Sequence, residues 1–295
     1  MGIDMGGTNV KIGIVDRKGG MESKIKYATA DLKDSNNFVR GYLDILAKEF
    51  EKHPEVKEIG MGIPGMISAD RTTCLEIAAI PMLDGVELKK HLLDRYPDKE
   101  FYLENDANVA ALGEYYFSGT KIPENYLFVT LGTGVGSAAI INKKIFIGGD
   151  GNGMELGHIL SKNGRELEEN IGKKGIMKRA EKLASNKKTT LRQYKIYDPK
   201  TIVKEALNGD KVSIKIFREV GELLGEGLVA TIRLLDIKTI LIGGGLAAGF
   251  DLIKDKLQET LEFNLTPYYT RDLYIKPAEL GNDAGIIGAA SLCFK

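Results

Sequence analysis

Three glycine clusters, each directly after a predicted strand, have the composition of phosphate-binding turns. Glycine allows positive φ and carries no Cβ, so successive backbone N–H groups can point at an anion. Neighbouring threonine hydroxyls add donors, and a nearby lysine could neutralise phosphate charge. One hairpin can use glycine and threonine for shape alone, but three such turns favour a nucleotide site. Its candidate residues are Gly6, Gly7, Thr8, Asn9 and Lys11, then Thr130, Gly132, Thr133 and Gly134, then Gly243, Gly244 and Gly245.

Other nucleotide-binding motifs do not fit the sequence. The chain contains no Walker loop, which requires Gly-x4-Gly-Lys-Ser/Thr, and no protein-kinase signature. The spacing Gly60-x-Gly62-x-x-Gly65 matches the dinucleotide fingerprint, but residues 66–73 indicate a loop where that motif needs a helix. We therefore interpret this match as accidental. The first two glycine clusters join strand to strand, which is the geometry of a hairpin phosphate loop.

The elements that must position these residues occur twice along the chain. A strand, a Gly/Thr turn and a second strand follow one another over 2–16 and again over 126–141, which indicates an internal repeat. Residues 103–107 (LENDA) also resemble 280–284 (LGNDA), and each segment runs into a helix rich in small residues. Two such helices can cross at short range, which suits a hinge between two like domains. Ordinary alanine-rich helices are the alternative.

Apolar periodicity predicts the remaining elements of an α/β chain. Buried strands and amphipathic helices alternate, as expected for sheets covered by helices. The predicted helices span about 35–52, 87–96, 106–117, 173–185, 199–208, 211–235, 249–263 and 284–294, and the further strands span about 56–63, 101–103, 126–131, 138–141 and 238–242.

Composition and charge exclude several classes of protein. The 41 Lys and Arg residues balance 41 Asp and Glu residues, which argues against a protein that coats nucleic acid or an anionic membrane. The basic stretch 173–204 is interpreted as solvated helices. No run approaches the ~18 apolar residues of a membrane span, and no signal peptide is predicted. We therefore expect a cytoplasmic protein with neither nucleic-acid nor membrane partners.

Six motifs occur in the order and spacing of one known family. The sequence resembles the ROK family of repressors, open reading frames and sugar kinases. The motifs are Asp4-x-Gly6-Gly7-Thr8-Asn9-x-Lys11, Gly62-x-Pro64-Gly65, Glu104-Asn105-Asp106-Ala107, Leu131-Gly132-Thr133-Gly134-x-Gly136, Glu155-x-Gly157-His158 and Ala284-Gly285-x-x-Gly288-Ala289. The resemblance implies an α/β fold of two actin-like ATPase (ribonuclease H-like) domains with a nucleotide and sugar cleft between them. The expected N-terminal lobe is 1–112 plus 284–295, and the expected C-terminal lobe is 113–283.

The resemblance also implies an activity, the ATP-dependent phosphorylation of a hexose. Glucose is the first candidate, and N-acetylmannosamine, N-acetylglucosamine, allose, fructose and β-glucosides are alternatives. ATP and Mg²⁺ are the implied cofactors, and the resemblance also implies a homodimer, since members of the family usually form one. The alternatives from other classes are a non-catalytic sugar sensor and a transcriptional repressor. Repressors of the family place a winged helix-turn-helix before the first phosphate loop, and here that loop begins at residue 6.

Two aspartates take catalytic roles in this interpretation. Asp106 matches the catalytic aspartate of the family and would act as general base, a role that contributes about 10²–10⁴-fold to rate. The alternative for Asp106 is an Asx helix cap. Asp283, in the matching segment, is interpreted as structural. Asp4 would position Mg²⁺ through water, and its alternative is a solvent-facing strand residue.

The sugar-binding residues implied by the resemblance are Gly65, Asn105, Asp106, Glu155, His158 and Glu168. Most members also use this histidine as a zinc ligand beside a cysteine-rich segment. That segment is missing between residues 165 and 167, and no cysteine occurs from 75 to 292, so we expect no structural zinc. Glu169 is a rival for the role of Glu168 if the gap lies one residue away. A second departure is Ala79, where the family usually carries asparagine.

Overall fold

The structure is a computed structural model that describes residues 1–33 and 37–294. Its strands are β1 (Gly2–Met5), β2 (Asn9–Val15), β3 (Met21–Ala28), β4 (Glu58–Ile63), β5 (Met66–Ile67), β6 (Cys74–Glu76), β7 (Glu100–Asn105), β8 (Tyr126–Leu131), β9 (Val135–Ile141), β10 (Lys144–Ile145), β11 (Thr239–Gly243) and β12 (Tyr274–Pro277). Its helices are α1 (Thr29–Lys33), α2 (Phe38–Lys52), α3 (Leu88–Arg95), α4 (Asp106–Phe117), α5 (Leu167–Ile171), α6 (Lys173–Asn186), α7 (Pro199–Leu207), α8 (Lys211–Leu235), α9 (Phe250–Asn264), α10 (Pro267–Thr270) and α11 (Ala284–Ser291). Within the described residues, no helix combines the length and the apolar character needed to cross a bilayer.

The two large sheets have the same strand order. The first runs β3-β2-β1-β4-β7 and the second runs β10-β9-β8-β11-β12. In the first sheet β1 pairs antiparallel with β2 and parallel with β4, which in turn pairs parallel with β7. In the second sheet β11 pairs parallel with both β8 and β12. The internal repeat predicted from the sequence is therefore confirmed by the sheet topology.

The chain divides into two compact units. The first contains Met1–Ile122, Ala138–Met154 and Asn282–Lys295, and the second contains Pro123–Ser137 and Glu155–Gly281. The lobe boundaries expected after residues 112 and 283 remain a prediction.

The core of the first unit lies between the first sheet and helices α2 and α3. Alternate residues of β1, such as Ile3 and Met5, are fully buried, as are Phe38 and Tyr42 of α2. The side chain of Asn37 caps α2 by accepting the N–H of Arg40 at 3.0 Å. The predicted helix over 35–52 therefore begins at residue 38, and residues 35 and 36 lie outside the described part of the chain.

Helices α4 and α11, both in the first unit, approach each other at glycines. A Cβ built on Gly288 would overlap the carbonyl oxygen of Val109, and one on Gly113 would lie 2.9 Å from the carbonyl oxygen of Ala284. Helix α11 also covers the first sheet, where a Cβ on Gly60 would overlap the carbonyl oxygen of Ala289. The predicted close crossing of two small-residue helices is confirmed, and its role as a hinge stays a prediction.

The second unit is organised around the long helix α8. Its buried residues include Phe217, Leu224 and Leu228, and glycines on the same helix admit α9. A Cβ on Gly221, for example, would overlap the carbonyl oxygen of Ile253. Strands β9 and β3 differ from expectation. Strand β9 resumes at residue 135 rather than 138, so the second glycine turn is shorter. Strand β3 was missed because it alternates half-buried and exposed residues, three of them charged, at a sheet edge.

Candidate active site

The first glycine turn joins β1 to β2, and hydrogen bonds at Gly6 hold its base. The N–H of Gly6 donates to the carbonyl oxygen of Asn9 at 2.9 Å, and the hydroxyl of Thr29 donates to the carbonyl oxygen of Gly6 at 2.7 Å. The tip of the turn, Gly7 and Thr8, is exposed to solvent. The turn is therefore fixed at its base and open at the tip, where a phosphate could bind backbone N–H groups.

Asp4 and Lys11 face each other across the β1–β2 hairpin. The Nζ of Lys11 donates to Oδ2 of Asp4 at 2.7 Å and lies 3.4 Å from the carbonyl oxygen of Asn282. A Cβ on Gly285 would lie 2.8 Å from the carboxyl carbon of Asp4, so a larger residue at this position would have to displace the carboxylate. The side chain of Asp4 is 19% exposed, so it is not a freely solvated strand residue.

The donor set around Asp4 fits Mg²⁺ only if the nucleotide supplies further oxygens. Among the described residues, no group of three or more His, Cys, Asp or Glu side chains could hold a metal ion. Mg²⁺ is usually bound by one or two carboxylates, waters and substrate phosphates, and Asp4 provides one such carboxylate next to the first glycine turn. The expected absence of structural zinc stays a prediction, which metal analysis of the purified protein would test.

Asp106 is the first residue of α4, at the turn from β7 into the helix. The side chain of Asn105 accepts the N–H groups of Ala107 and Asn108 at 2.9 and 3.2 Å, so Asn105 is the N-cap of α4. Oδ1 of Asp106 also accepts the N–H of Ala107, at 2.8 Å. The amide of Asn105 also donates to the carbonyl oxygen of Gly65 at 3.1 Å. The structure thus brings Gly65, Asn105 and Asp106 together and assigns the capping role to Asn105.

A buried ion pair, missed in the sequence, lies behind this turn. One oxygen of Glu104 accepts the N–H of Asn105 at 2.9 Å and the side-chain amide of Asn108 at 3.0 Å. The second oxygen accepts Nε of Arg71 at 3.0 Å, and the two side chains are 9% and 16% exposed. Arg71 lies in the stretch 66–73 that was predicted to be a loop; its first two residues form β5, and the sequence assigned it no role.

The second and third glycine clusters are neighbours in the second unit. Gly243 is paired with Thr130 between β11 and β8, and Gly244 has a φ of 86°. A Cβ on Gly244 would lie 2.5 Å from the hydroxyl oxygen of Thr130. The N–H of Lys173, the first residue of α6, lies 3.1 Å from the carbonyl oxygen of Gly132. Contacts with neighbouring strands and with α6 therefore hold both turns in place, while Thr133 and Gly245 remain exposed.

The sugar-binding candidates of the second unit also lie together. His158 has Nε2 4.0 Å from Oε2 of Glu155, and burial raises the pKa of Glu155, with the nearby Glu168 carboxylate adding to the rise. Glu168 accepts the N–H of Val135 at 2.8 Å through Oε2. A Cβ on Gly134 would overlap that carboxylate. Glu168 therefore connects the sugar-binding candidates to the second glycine turn.

Glu168 and its rival Glu169 have different environments. The side chain of Glu169 accepts the N–H of Glu166 at 3.1 Å, which forms a capping box at the start of α5. Glu169 also lines a cavity of about 400 Å³ with residues of α6 and α8, among them Lys178 and Val220. Glu169 is thus engaged in the cap of α5, and the choice of Glu168 over Glu169 as the sugar-binding residue stays a prediction.

Glu166 is a further site residue that sequence reasoning missed. Its carboxylate lies 2.9 Å from Nδ1 of His158, because residues 159–167 fold back as a short hairpin. Asn163 and Gly164 both have positive φ, 63° and 66°, at its tip. An Asn-Gly pair is a strong hairpin signal, so this fold-back could have been found in the sequence.

Replacing Glu166 with glutamine is expected to lower the pKa of His158. The hydrogen bond that the imidazole of His158 donates to the Glu166 carboxylate raises the His158 pKa above its usual value, and Glu155 and Glu168 add to the rise while burial opposes it. A raised folded-state pKa stabilises the protein below the unfolded pKa of about 6.5, and this stabilisation disappears as pH rises through the folded-state pKa. An NMR titration of the imidazole would measure the change. Glu169→Gln is the control, and an equal drop in both variants would contradict the assignment.

Comparison with known proteins identifies the family. The model of the ROK family matches residues 1–295, the whole chain. The chain belongs to the ROK family. This ROK protein is 26% identical to a glucokinase of Thermotoga maritima, over 99% of this chain and 96% of that protein. It is 29% identical to a glucokinase of Streptomyces coelicolor, again over 99% of this chain and 96% of that protein.

Solved structures agree with the family assignment. A structure from Cytophaga hutchinsonii, provisionally called a sugar kinase, is 38% identical with a TM-score of 0.92 and covers 100% of this chain and 99% of that one. A ROK glucokinase of Streptomyces griseus, solved with glucose and AMPPNP, is 28% identical with a TM-score of 0.83, over 99% and 97% of the two chains. The expected family and the actin-like α/β fold are therefore confirmed, and the expected enzyme class, sugar kinase, is the class of these relatives.

Proposed function

We propose that this ROK protein transfers the γ-phosphoryl group of ATP to a hexose, with the conversion of glucose to glucose 6-phosphate as the first candidate. The observation that carries the proposal is the placement of Asp106, a carboxylate at a helix start whose cap is supplied by its neighbour Asn105. Similarity to a glucokinase solved with glucose and AMPPNP supports both the sugar and the nucleotide.

In the proposed reaction Asp106 accepts the proton of the attacking sugar hydroxyl. The hydroxyl oxygen forms a bond to the γ-phosphorus, the bond to the β,γ-bridging oxygen breaks, and ADP leaves. Catalysis of this kind depends mainly on positioning and on charge stabilisation. The three glycine turns, with Thr8, Thr130 and Lys11, would bind the nucleotide. Mg²⁺ bound with ATP supplies positive charge to the phosphates, and Asp4 would hold it through water.

The sugar would be bound by the six candidates that the resemblance implies, Gly65, Asn105, Asp106, Glu155, His158 and Glu168. Carboxylates and an imidazole are suited to hydrogen-bond sugar hydroxyls. Relatives with other substrates keep the choice of hexose open. They include an N-acetyl-D-glucosamine kinase of Histophilus somni, 28% identical, and a β-glucoside kinase of Klebsiella pneumoniae, 26% identical.

A sugar panel assayed with Mg-ATP tests the proposal. ADP release should depend on one hexose, and phosphorus NMR should show its phosphate monoester. Absence of turnover with every sugar would contradict the proposal. Sugar-dependent DNA binding in its place would favour the repressor alternative, since a xylose repressor of Caldicellulosiruptor bescii is 24% identical over 77% of its length. Sedimentation of the same sample would test the expected homodimer.

Exchange of Glu168 for glutamine is expected to weaken binding of the accepted sugar by about 1–3 kcal/mol. The amide retains an acceptor for the N–H of Val135 but presents a donor where the sugar hydroxyl needs an acceptor, which leaves a buried group unpaired. Glu169→Gln is the matched control, because glutamine also serves in a capping box. Calorimetric titration with sugar measures both variants. A larger loss of sugar affinity in Glu169→Gln than in Glu168→Gln would show that Glu169 is the residue that contacts the sugar.

A further inference from the structure

Arg71 combines three features that are costly for a folded chain. Its φ is 59°, in the left-handed region that non-glycine residues rarely occupy. Its guanidinium is largely buried in the ion pair with Glu104. Its Nη2 is fully buried and has no hydrogen-bond partner among the described residues. Strain and unsatisfied polar groups that persist in a native structure point to a functional constraint.

The contacts of Arg71 converge on the turn that carries Asp106. Through Nε it holds Glu104, whose other oxygen binds the backbone N–H of Asn105 and the amide of Asn108. Through Nη1 it donates to the carbonyl oxygens of Ser68 and Gly151, at 3.2 and 2.9 Å. The guanidinium therefore connects its own loop, a glycine-rich loop and the end of β7.

The glycine-rich loop, residues 148–153, is built to receive this side chain. A Cβ on Gly151 would lie 2.7 Å from Nη1 of Arg71, and the φ of Gly151 is 93°. Beside it, the side chain of Asn152 binds both the N–H and the carbonyl oxygen of Ile67, each at 3.0 Å. Two independent contacts thus fix this loop to the segment that carries Arg71, which limits where the guanidinium can lie.

We propose that Arg71 is a positioning residue, which fixes Glu104 and through it the Asn105–Asp106 turn where the sugar hydroxyl is deprotonated. The inference rests on the proposed function of Asp106. The guanidinium also neutralises a buried carboxylate two residues before the base. Without it, the Glu104 carboxylate would be left buried and unpaired, and it would have to move towards water and draw the N–H of Asn105 with it.

A double-mutant cycle of Arg71→Met and Glu104→Gln tests this role. Arg71→Met should lower kcat at least about tenfold and leave KM for ATP within about twofold, because even a small misplacement of a reacting group strongly lowers the rate of the chemical step. The double variant should recover most of the lost kcat, since glutamine is neutral and still accepts the N–H of Asn105. Arg71→Lys should be intermediate. Unchanged kcat in Arg71→Met, or a double variant no better than Arg71→Met, would overturn the proposal.

Hydrogen exchange gives a readout that does not depend on activity. Amide exchange in a peptide spanning 103–110 should be faster in Arg71→Met than in the wild type and should slow again in the double variant, with melting temperatures recorded alongside. Equal exchange in all three proteins would show that Arg71 does not hold the turn. If the wild-type protein phosphorylates no sugar, the proposed function fails while the exchange result still decides whether Arg71 positions this turn.

Discussion

Replacing Asp106 with asparagine is expected to lower kcat by at least about 10²-fold, while affinity for the accepted sugar changes no more than a few-fold. The amide keeps the shape of the carboxylate and one acceptor, but it cannot take the proton of the sugar hydroxyl. Steady-state kinetics with Mg-ATP and calorimetric titration with sugar measure the two quantities separately. A variant that retains more than about a tenth of the wild-type kcat would show that Asp106 is not the base.

The chain offers a matched control for this experiment. Asp283 also follows an asparagine at the start of a helix, in the second copy of the repeated segment. Its carboxylate forms an exposed ion pair with Lys24, the kind of pair that contributes less than about 1 kcal/mol. Asp283→Asn should therefore leave kcat within about twofold of the wild type. Equal losses in the two variants would indicate a general effect of removing a charge at a helix start.

The substitution Gly288→Ala is expected to reduce the free energy of unfolding by about 3 kcal/mol or more. The added methyl group would overlap the carbonyl oxygen of Val109, and the backbone of Gly113 is also near, so neither helix can yield by a side-chain rotation. Helices α4 and α11 would have to separate. Urea denaturation followed by circular dichroism measures the loss.

Gly227→Ala provides the comparison for this stability measurement. Gly227 is also buried within a helix, but the nearest atoms to its added Cβ are the ends of the Leu167 and Ile159 side chains, at 3.1 and 3.3 Å. Those ends can move, and alanine favours the helix by about 1 kcal/mol over glycine. The free energy of unfolding of the Gly227→Ala variant should differ from that of the wild type by less than about 1 kcal/mol. Similar losses in both variants would contradict a backbone clash at Gly288.

The regular elements were predictable where one periodicity dominates. Helices α2, α8 and α9 repeat apolar residues at helical spacing and begin and end within a few residues of the expected positions. The glycine turns and the Asn105–Asp106 helix start were predictable because each is encoded in adjacent residues. The predicted helical tail over 284–294 stops at residue 291.

The parts that sequence reasoning missed depend on distant partners. Arg71 and Glu104 are 33 positions apart, and no sequence pattern near either residue indicates that the two side chains pair. The pairing results from the way the loop after β5 packs on β7. The contact between Glu166 and His158 is an intermediate case, because it spans eight positions and the Asn-Gly turn that creates it is visible in the sequence.

The packing of α11 on the first strand has a consequence for the order in which the protein folds during synthesis. Strands β1 and β4 expose glycines, Gly2 and Gly60, to the helix that is made last among the described elements. Helix α4 covers the part of this face beside Gly62, but the part at Gly2 and Gly60 stays uncovered on the ribosome until residues 284–291 have emerged. The second unit, complete once residue 281 is made, can form first. The first unit, although it begins the chain, must be the last to close, and its pairing of residues nearly a whole chain apart is intrinsically slow.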